Sequence, residues 1–157
     1  MSNIMIHSRM RYLWITFSII LIDWSSKQWI RHCFFLKEKV EIFPGVNIFY
    51  TLNYGIFFRT LVPRHELSRQ ILIIMDLIVI VILLLIIAMK VNDPDHSCKN
   101  VALALVVGGG LSNLYDLIIY GGIIDFINLV IIKWNFITLN IADIAIGSGL
   151  FLIIASL

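Results

Sequence analysis

Hydrophobic residues form four long runs along the chain, at about residues 12–30, 71–89, 101–119 and 139–157. A helix that crosses a membrane needs about 20 mostly apolar residues, and each run comes close to this length. The pattern therefore predicts four transmembrane helices.

The connection at residues 31–70 is too polar and too often interrupted to span a membrane. Proline, glycine and asparagine separate short apolar runs at residues 46–51 and 56–58, which we expect to be small strands. A short surface helix is expected to begin near Pro63 and to lead into the second span.

A second connection, at residues 117–132, is apolar but is broken by Gly121, Gly122 and Asp125. Because two adjacent glycines and an acid interrupt the run, it does not predict a fifth span. We expect a membrane-surface or partly re-entrant connection instead.

Composition places the whole chain in lipid. Of the 157 residues, 60% are hydrophobic and 14% are charged, whereas soluble domains have about 45–50% and about 25%. A soluble domain of this size still exposes about 30% of its unfolded surface, so it cannot hide this much apolar area. We therefore expect one integral membrane domain, residues 1–157, with an all-α polytopic fold of four transmembrane helices, a small β-sheet and a short surface helix.

Charge and cysteine content exclude two kinds of partner. The net charge is +2 and the basic residues are scattered, so the chain lacks the basic stripe of a nucleic-acid-binding protein. Cys33 and Cys98 form no C-x-x-C motif and no metal-ligand spacing. We expect neither a nucleic-acid partner nor a metal or other cofactor.

Polar residues converge on one interface if the four spans are antiparallel. An ionisable group inside a span costs about 2.5–3.5 kcal/mol, so a group of acids near one membrane face suggests a function. The residues placed there are Asp23, Asn53, Asp116, Asp125 and Asp143.

One spacing occurs twice among these residues. Asn113 and Asp116 in the third run, and Asn140 and Asp143 in the fourth, are three residues apart and share a helical face. A buried polar network that only locks the helices together is the alternative that these residues leave open.

The sequence resembles a known family, the type II signal peptidases, which are the lipoprotein signal peptidases of bacteria. Five segments carry the resemblance, in the same order along nearly the whole chain. They are Asp23-Trp-Ser-Ser-Lys27, Asn53-Tyr-Gly55-Ile-Phe-Phe58, Gly109-Gly-Leu-Ser-Asn113-Leu-Tyr-Asp116, Ile123-Ile-Asp125-Phe126 and Asn140-Ile-Ala-Asp143.

The resemblance implies a membrane aspartyl endopeptidase with a small extracytoplasmic sheet. Its partners would be membrane lipid and prolipoproteins, which it would cut just before a diacylglyceryl-modified cysteine. By position, the catalytic pair would be Asp125 and Asp143. Two nearby carboxylates in a low-dielectric site cannot both ionise easily, so such a pair shares one proton and can act as acid and base.

The remaining matched positions would support this pair. Asp23 and Lys27, four residues apart on one helical face, are expected to form a structural ion pair. Substrate-binding or supporting roles are expected for Asn53, Gly55, Asn113, Asp116 and Asn140.

The chain departs from the family pattern at Ser112, where the family has glycine, and at Leu117, where it has arginine. If that arginine positions a substrate or an acid, Leu117→Arg should raise kcat/KM. If Leu117 faces lipid or is packed, the same change should cost stability without increasing activity.

The resemblance also implies the bacterial cytoplasmic (inner) membrane, with both termini cytoplasmic and the active site at the outer leaflet. The positive-inside rule favours the opposite orientation. The termini side would hold Arg9, Arg11, Lys90 and Lys99, and the other side Lys27, Arg31, Lys37, Lys39, Arg59, Arg64, Arg69 and Lys133.

Two other functions compete with the peptidase. A four-span proton-coupled transporter would place its coupling acid near the bilayer midplane, whereas Asp116 and Asp143 fall near the ends of their spans. A relative with weakened activity, which binds lipoprotein precursors without cutting them, is the other alternative.

Overall fold

The structure is a computed structural model that describes residues 2–54, 70–71, 73–75, 77–78, 81, 97–131 and 134–156. The described elements are α1 (Ser2–Cys33), β1 (Lys39–Phe43), β2 (Val46–Asn53), α2 (Ser97–Tyr120), β3 (Ile123–Ile131), β4 (Trp134–Leu139) and α3 (Ile141–Ala155). The three helices pack together, and an antiparallel sheet lies at one end of α2 and α3.

Helices α1 and α2 run parallel to each other. The Thr16 hydroxyl donates a hydrogen bond to the Ala104 carbonyl at 3.1 Å, and further along both helices Lys27 contacts Asn113 at 2.9 Å. Helix α3 runs in the opposite direction to α2, because Ala142 at its start lies beside Gly109 and Gly149, further along α3, lies beside Ala102.

Two glycines allow α2 and α3 to approach closely. A Cβ atom on Gly109 would lie 2.5 Å from the Ala142 carbonyl oxygen, and one on Gly149 would lie 2.6 Å from the Ala102 carbonyl oxygen. Small residues permit this backbone contact in membrane helices. The contact fixes the start of α3 against the middle of α2.

Among the described residues, the sheet has four strands in the order β1-β2-β3-β4, and all of the neighbouring strands are antiparallel. A tight turn at Pro44 and Gly45 joins β1 to β2, and Gly45 has a φ of 87°, which favours glycine. Strand β3 follows α2 after a turn in which Gly121 has a φ of 74°. This turn carries the chain directly from the end of α2 into the sheet.

The structure corrects one expectation about the connections and adds one element that was not predicted. Residues 117–132 were expected to be a connection between spans, but α2 continues to Tyr120 and β3 occupies Ile123–Ile131, so most of this range is helix and strand. Strand β4 was not predicted at all. The run at 123–131 is rich in β-branched residues, which fit a pleated strand, and its acid lies within the strand instead of interrupting it.

The other predicted elements have mixed outcomes. The strand predicted at 46–51 is present as β2, whereas the strand predicted at 56–58 and the surface helix near Pro63 lie outside the described residues. Within the described ranges, one helix, Cys98–Tyr120, is long and apolar enough to cross a membrane. The shorter apolar α3 begins at Ile141, after Asn140 as its N-cap.

Candidate active site

The candidate site lies where the C-terminal end of α2, the N-terminal end of α3, β3 and the last third of α1 meet. All of the site residues predicted from the sequence that the structure describes lie here. They are Asp23, Lys27, Asn53, Asn113, Asp116, Asp125, Asn140 and Asp143. Gly55 lies outside the described residues.

Asp125 lies on β3, and its side chain is 2% exposed. Asn53, at the end of the neighbouring β2, donates its side-chain N–H to Asp125 Oδ2 at 2.9 Å, and the Asn140 side chain donates to Oδ1 at 2.9 Å. Antiparallel pairing of Asn53 with Ile123 brings this amide to the acid. Each carboxylate oxygen therefore has one amide donor.

The pKa of Asp125 is raised from its ordinary value to about 7, chiefly by burial and secondly by the negative charge of Asp143. The hydrogen bonds from Asn53 and Asn140 act in the opposite direction, because they favour the ionised carboxylate. Burial outweighs these bonds, so the carboxyl group is poised to hold or release a proton near neutral pH.

Asp143 lies in the first turn of α3, where the sequence forms a capping box. The Asn140 side chain accepts a hydrogen bond from the Asp143 backbone N–H at 2.8 Å, and the Asp143 carboxylate accepts one from the Asn140 backbone N–H at 3.1 Å. Asn113 on α2 donates to the other Asp143 oxygen at 2.9 Å. The Asn-x-x-Asp spacing thus produces a helix cap whose acid also contacts α2.

Asn140 connects the two acids directly. Its side-chain N–H lies 2.9 Å from Asp125 Oδ1, and its backbone N–H lies 3.1 Å from Asp143 Oδ2. Asn140 is fully buried. One rigid residue therefore sets the spacing between a carboxylate of the sheet and a carboxylate of the helix.

Behind the acids lies a buried cation. Lys27 is 1% exposed, and its ammonium lies 2.6 Å from Asp23 Oδ2 and 2.7 Å from Asp116 Oδ2. The ion pair predicted between Asp23 and Lys27 is present, and Asp116 extends it to α2.

The profile of the family described as signal peptidase (SPase) II matches residues 15–157. A lipoprotein signal peptidase of Yersinia enterocolitica is 34% identical over 154 residues, which cover 98% of this chain and 90% of the relative. One of Blochmanniella pennsylvanica is 31% identical over 150 residues, covering 96% and 90%. The chain belongs to the signal peptidase II family.

The fold of this chain is also similar to that of solved structures. Two structures of bacterial membrane enzymes, determined by the in meso method at 1.9 and 2.3 Å resolution, match with TM-scores of 0.79 and 0.76. Both matches cover 93% of this chain, they cover 91% and 86% of the solved chains, and the identities are 24% and 25%. As a signal peptidase II, the chain is a peptidase and a bacterial membrane protein, and family membership favours this function over a transporter.

The buried acids also brace the backbone of this signal peptidase II. Asp116 Oδ2 accepts the Ile124 backbone N–H at 3.1 Å, directly before Asp125. Asp23 Oδ1 accepts the Ala142 backbone N–H at 2.8 Å, directly before Asp143. Each acid of the ion-pair cluster therefore anchors the residue that precedes one acid of the predicted catalytic pair.

Sequence reasoning missed the contribution of Ser112. Its hydroxyl donates to Asp23 Oδ2 at 2.6 Å, and its side chain is buried. The available signal was its position one residue before Asn113, in a helix whose neighbouring residues are otherwise apolar or glycine. Leu117, which replaces the family arginine, is 1% exposed and is packed inside the protein.

Proposed function

We propose that this signal peptidase II cleaves prolipoproteins just before the diacylglyceryl-modified cysteine, with Asp125 and Asp143 as its catalytic residues. The supporting observation is the position of Asn140, which donates one hydrogen bond to each carboxylate. Two acids held by one buried residue match the requirement of an aspartic peptidase for a pair that shares a proton.

The two acids differ in environment, which supports different roles. Asp143 lies in the first turn of α3, where the backbone N–H groups favour a negative charge. Asp125, with a pKa raised to about 7 by burial and by its neighbour, is the better site for the shared proton. The pair still titrates as a unit, because each charge affects the other.

The reaction follows from these roles. Asp143 takes a proton from a water molecule, whose oxygen attacks the scissile carbonyl carbon, while Asp125 donates its proton to the carbonyl oxygen. A tetrahedral diol forms. In the second step one diol hydroxyl returns its proton to Asp125, the carbon–nitrogen bond breaks, and the leaving amine takes the proton held by Asp143. The pair ends in its starting protonation state, and one water molecule is consumed.

The proposed fold includes four spans. Because α1 and α2 run parallel, the chain that leaves α1 at Cys33 has to return across the membrane before α2 begins at Ser97. The described positions between residues 70 and 81 are helical, in agreement with a returning span. The proposed site of action is the outer leaflet of the cytoplasmic membrane.

Two native cysteines allow a test of orientation. Cys33 ends α1 at the site end, whereas Cys98 lies near the start of α2, and both are exposed. Helix α2 is about 36 Å long at 1.5 Å per residue, so they lie near opposite membrane faces. In intact cells, an impermeant thiol reagent should label the Cys98→Ser variant through Cys33 and leave the Cys33→Ser variant unlabelled. The reverse labelling pattern would reject the proposed orientation.

Activity is tested with purified protein and a precursor peptide that carries a diacylglyceryl cysteine. We expect cleavage before that cysteine by the unmodified enzyme and none by Asp125→Asn, which keeps the size of the side chain but removes its proton transfer. The same peptide without the lipid is the control substrate. Binding of the precursor without cleavage by the unmodified protein would identify a relative of weakened activity.

A further inference from the structure

We infer that Lys27 is a positioning residue of the peptidase, because it holds the side-chain amide of Asn113 in the one orientation that turns its N–H2 group toward Asp143. This role depends on the proposed catalytic function of Asp143. This role differs from that of a structural ion pair, since Lys27 acts on the reaction through the neutral side-chain amide of Asn113.

The three N–H groups of Lys27 have three acceptors. An ammonium group can only donate hydrogen bonds, so every atom that it contacts at this range is held as an acceptor. The acceptors are Asp23 Oδ2 at 2.6 Å, Asp116 Oδ2 at 2.7 Å and Asn113 Oδ1 at 2.9 Å. Two of these bonds join opposite charges, and the third fixes the direction of an amide.

The direction of the Asn113 amide decides what Asp143 contacts. With its oxygen toward Lys27, Asn113 presents N–H to Asp143 Oδ1 at 2.9 Å. In the reversed amide, an N–H2 group would face the ammonium and the amide oxygen would face the carboxylate. Both contacts are repulsive, so the cation selects the donating orientation.

Asn140 gives only partial support to the same orientation. Its own amide is fixed independently, because its oxygen accepts the Asp143 backbone N–H at 2.8 Å. Its N–H2 group has two hydrogens but three acceptors within range. These acceptors are Asp125 Oδ1 at 2.9 Å, Asn113 Oδ1 at 3.1 Å and the Ile124 carbonyl at 3.2 Å. Asn113 Oδ1 therefore shares the hydrogens of the Asn140 amide with two other acceptors. From Lys27, in contrast, it receives an N–H that no other acceptor uses.

The experiment has to separate this role from charge balance. Lys27→Met alone would leave two buried carboxylates without their cation and destabilise the protein. The double variant Lys27→Met/Asp116→Asn loses one positive and one negative charge, so the net charge of the cluster is unchanged. It is compared with the unmodified enzyme, whose cluster has the same net charge, and with Asp116→Asn, which shows how much of any loss comes from Asp116. Lys99→Met, about 20 Å from Asn113 along α2, is the control for loss of a lysine.

Cleavage of the lipid-modified precursor is measured with each variant, together with its thermal transition. We expect the double variant to have a kcat about 10- to 100-fold below that of Asp116→Asn, with KM within about twofold, because the catalytic pair loses an oriented donor to an ionised group. Lys99→Met should cleave as the unmodified enzyme does.

A pH profile supplies the readout that a structural role would not change. The charged and titratable groups that face the cluster come from each packed element: Asp23 from α1, Asp116 from α2, Asp125 from β3 and Asp143 from α3. A pair that has lost its donor takes up a proton more readily. The acidic limb of the kcat profile should therefore lie at higher pH in the double variant than in the unmodified enzyme, whose cluster carries the same net charge.

A second balanced pair protects against failure of the first to fold. Lys27→Met/Asp23→Asn is compared with Asp23→Asn in the same way, and it decides if the first pair shows no thermal transition. A folded double variant with the same kcat and pH profile as both of its references, the unmodified enzyme and the single Asp→Asn variant, would overturn the positioning role, and so would loss of folding in both double variants. An unmodified enzyme that does not cleave would instead reject the proposed function.

Discussion

The two copies of Asn-x-x-Asp have the same spacing and opposite positions in their helices. Asn113 and Asp116 lie near the C-terminal end of α2, whereas Asn140 and Asp143 form the N-terminal cap of α3. The backbone N–H groups at a helix start favour a negative charge, and the carbonyl groups at a helix end disfavour it. The same two residue types therefore meet opposite backbone fields.

The difference shows in the partners of the two acids. Asp116 is buried and needs a cation, which Lys27 provides at 2.7 Å. Asp143 is half-buried and is held by a backbone N–H and by an amide. An acid held by neutral donors can exchange a proton without breaking an ion pair. The second copy is therefore suited to chemistry and the first to support.

The largest expected effect comes from replacing the acid of each copy, Asp143 or Asp116, with asparagine in separate variants. Asp143→Asn should lower kcat at least about 1,000-fold with a small change in stability, because it removes proton transfer from the proposed catalytic pair. Asp116→Asn should retain most of the turnover but lower the free energy of unfolding by about 2–3 kcal/mol, because Lys27 loses a charged partner. Precursor cleavage and thermal unfolding of both variants measure the contrast. Equal activity losses would contradict it.

The residues that follow the two acids provide a second contrast. Leu117 is 1% exposed and Ile144 is 47% exposed. Leu117→Arg should lower the free energy of unfolding by about 3–5 kcal/mol and should not raise kcat/KM, since a buried unpaired charge costs that much.

Ile144→Arg is the matched control, because its long side chain can reach the interface and should cost about 1 kcal/mol or less. A stable Leu117→Arg enzyme with higher turnover would restore the hypothesis that this position needs the family arginine.

The next effect is a dependence of stability on pH. The pKa of Asp125 is raised to about 7, so the folded state keeps a proton that the unfolded state releases between its ordinary pKa and about 7. The stability from this group is full below the ordinary value and is lost as pH rises toward 7. The melting temperature of the unmodified protein should fall from pH 5 to pH 8. Asp125→Asn should flatten that fall, and Glu41→Gln, at an exposed position on β1, should not.

Much of the site was predictable because its residues are polar in an apolar chain. Acids and amides inside a membrane span cost free energy. Their presence in apolar runs therefore identified Asp23, Asn113 and Asp143 as candidate site residues before any contact was known. The pairing of Asp23 with Lys27 followed from helical spacing alone. The i, i+3 spacing placed Asn140 and Asp143 on one face, although the capping box was not foreseen.

The sheet was less predictable, because strand pairing is a non-local property. The local pattern predicts only a broken apolar connection at residues 117–132, and pairing with β2 makes Asp125 an ordinary strand position. The partners of Lys27 on α2 were also beyond local reasoning, since they depend on the parallel packing of two helices far apart in sequence. Long-range contacts leave no periodic signal.

The smallest expected effect concerns Ser112, the residue before the first copy. Its hydroxyl donates to Asp23 Oδ2 at 2.6 Å, so Ser112→Ala should lower the free energy of unfolding by about 1–2 kcal/mol. Ser112→Gly, which restores the family residue, should cost about 1 kcal/mol more than Ser112→Ala, because glycine is a poorer helix former than alanine by about that amount.

Ser148→Ala, at an exposed position in α3, is the control and should change stability by about 0.5 kcal/mol or less. Thermal unfolding compares the three variants under one set of conditions. Asp23 also accepts a hydrogen bond from the Ala142 backbone N–H at 2.8 Å. Ser112→Ala should therefore also affect the second copy, Asn140 and Asp143, and lower kcat severalfold at most. A Ser112→Ala variant as stable as the Ser148→Ala control would show that Lys27 alone satisfies this Asp23 oxygen, and that the support of the first copy for the second does not pass through Ser112.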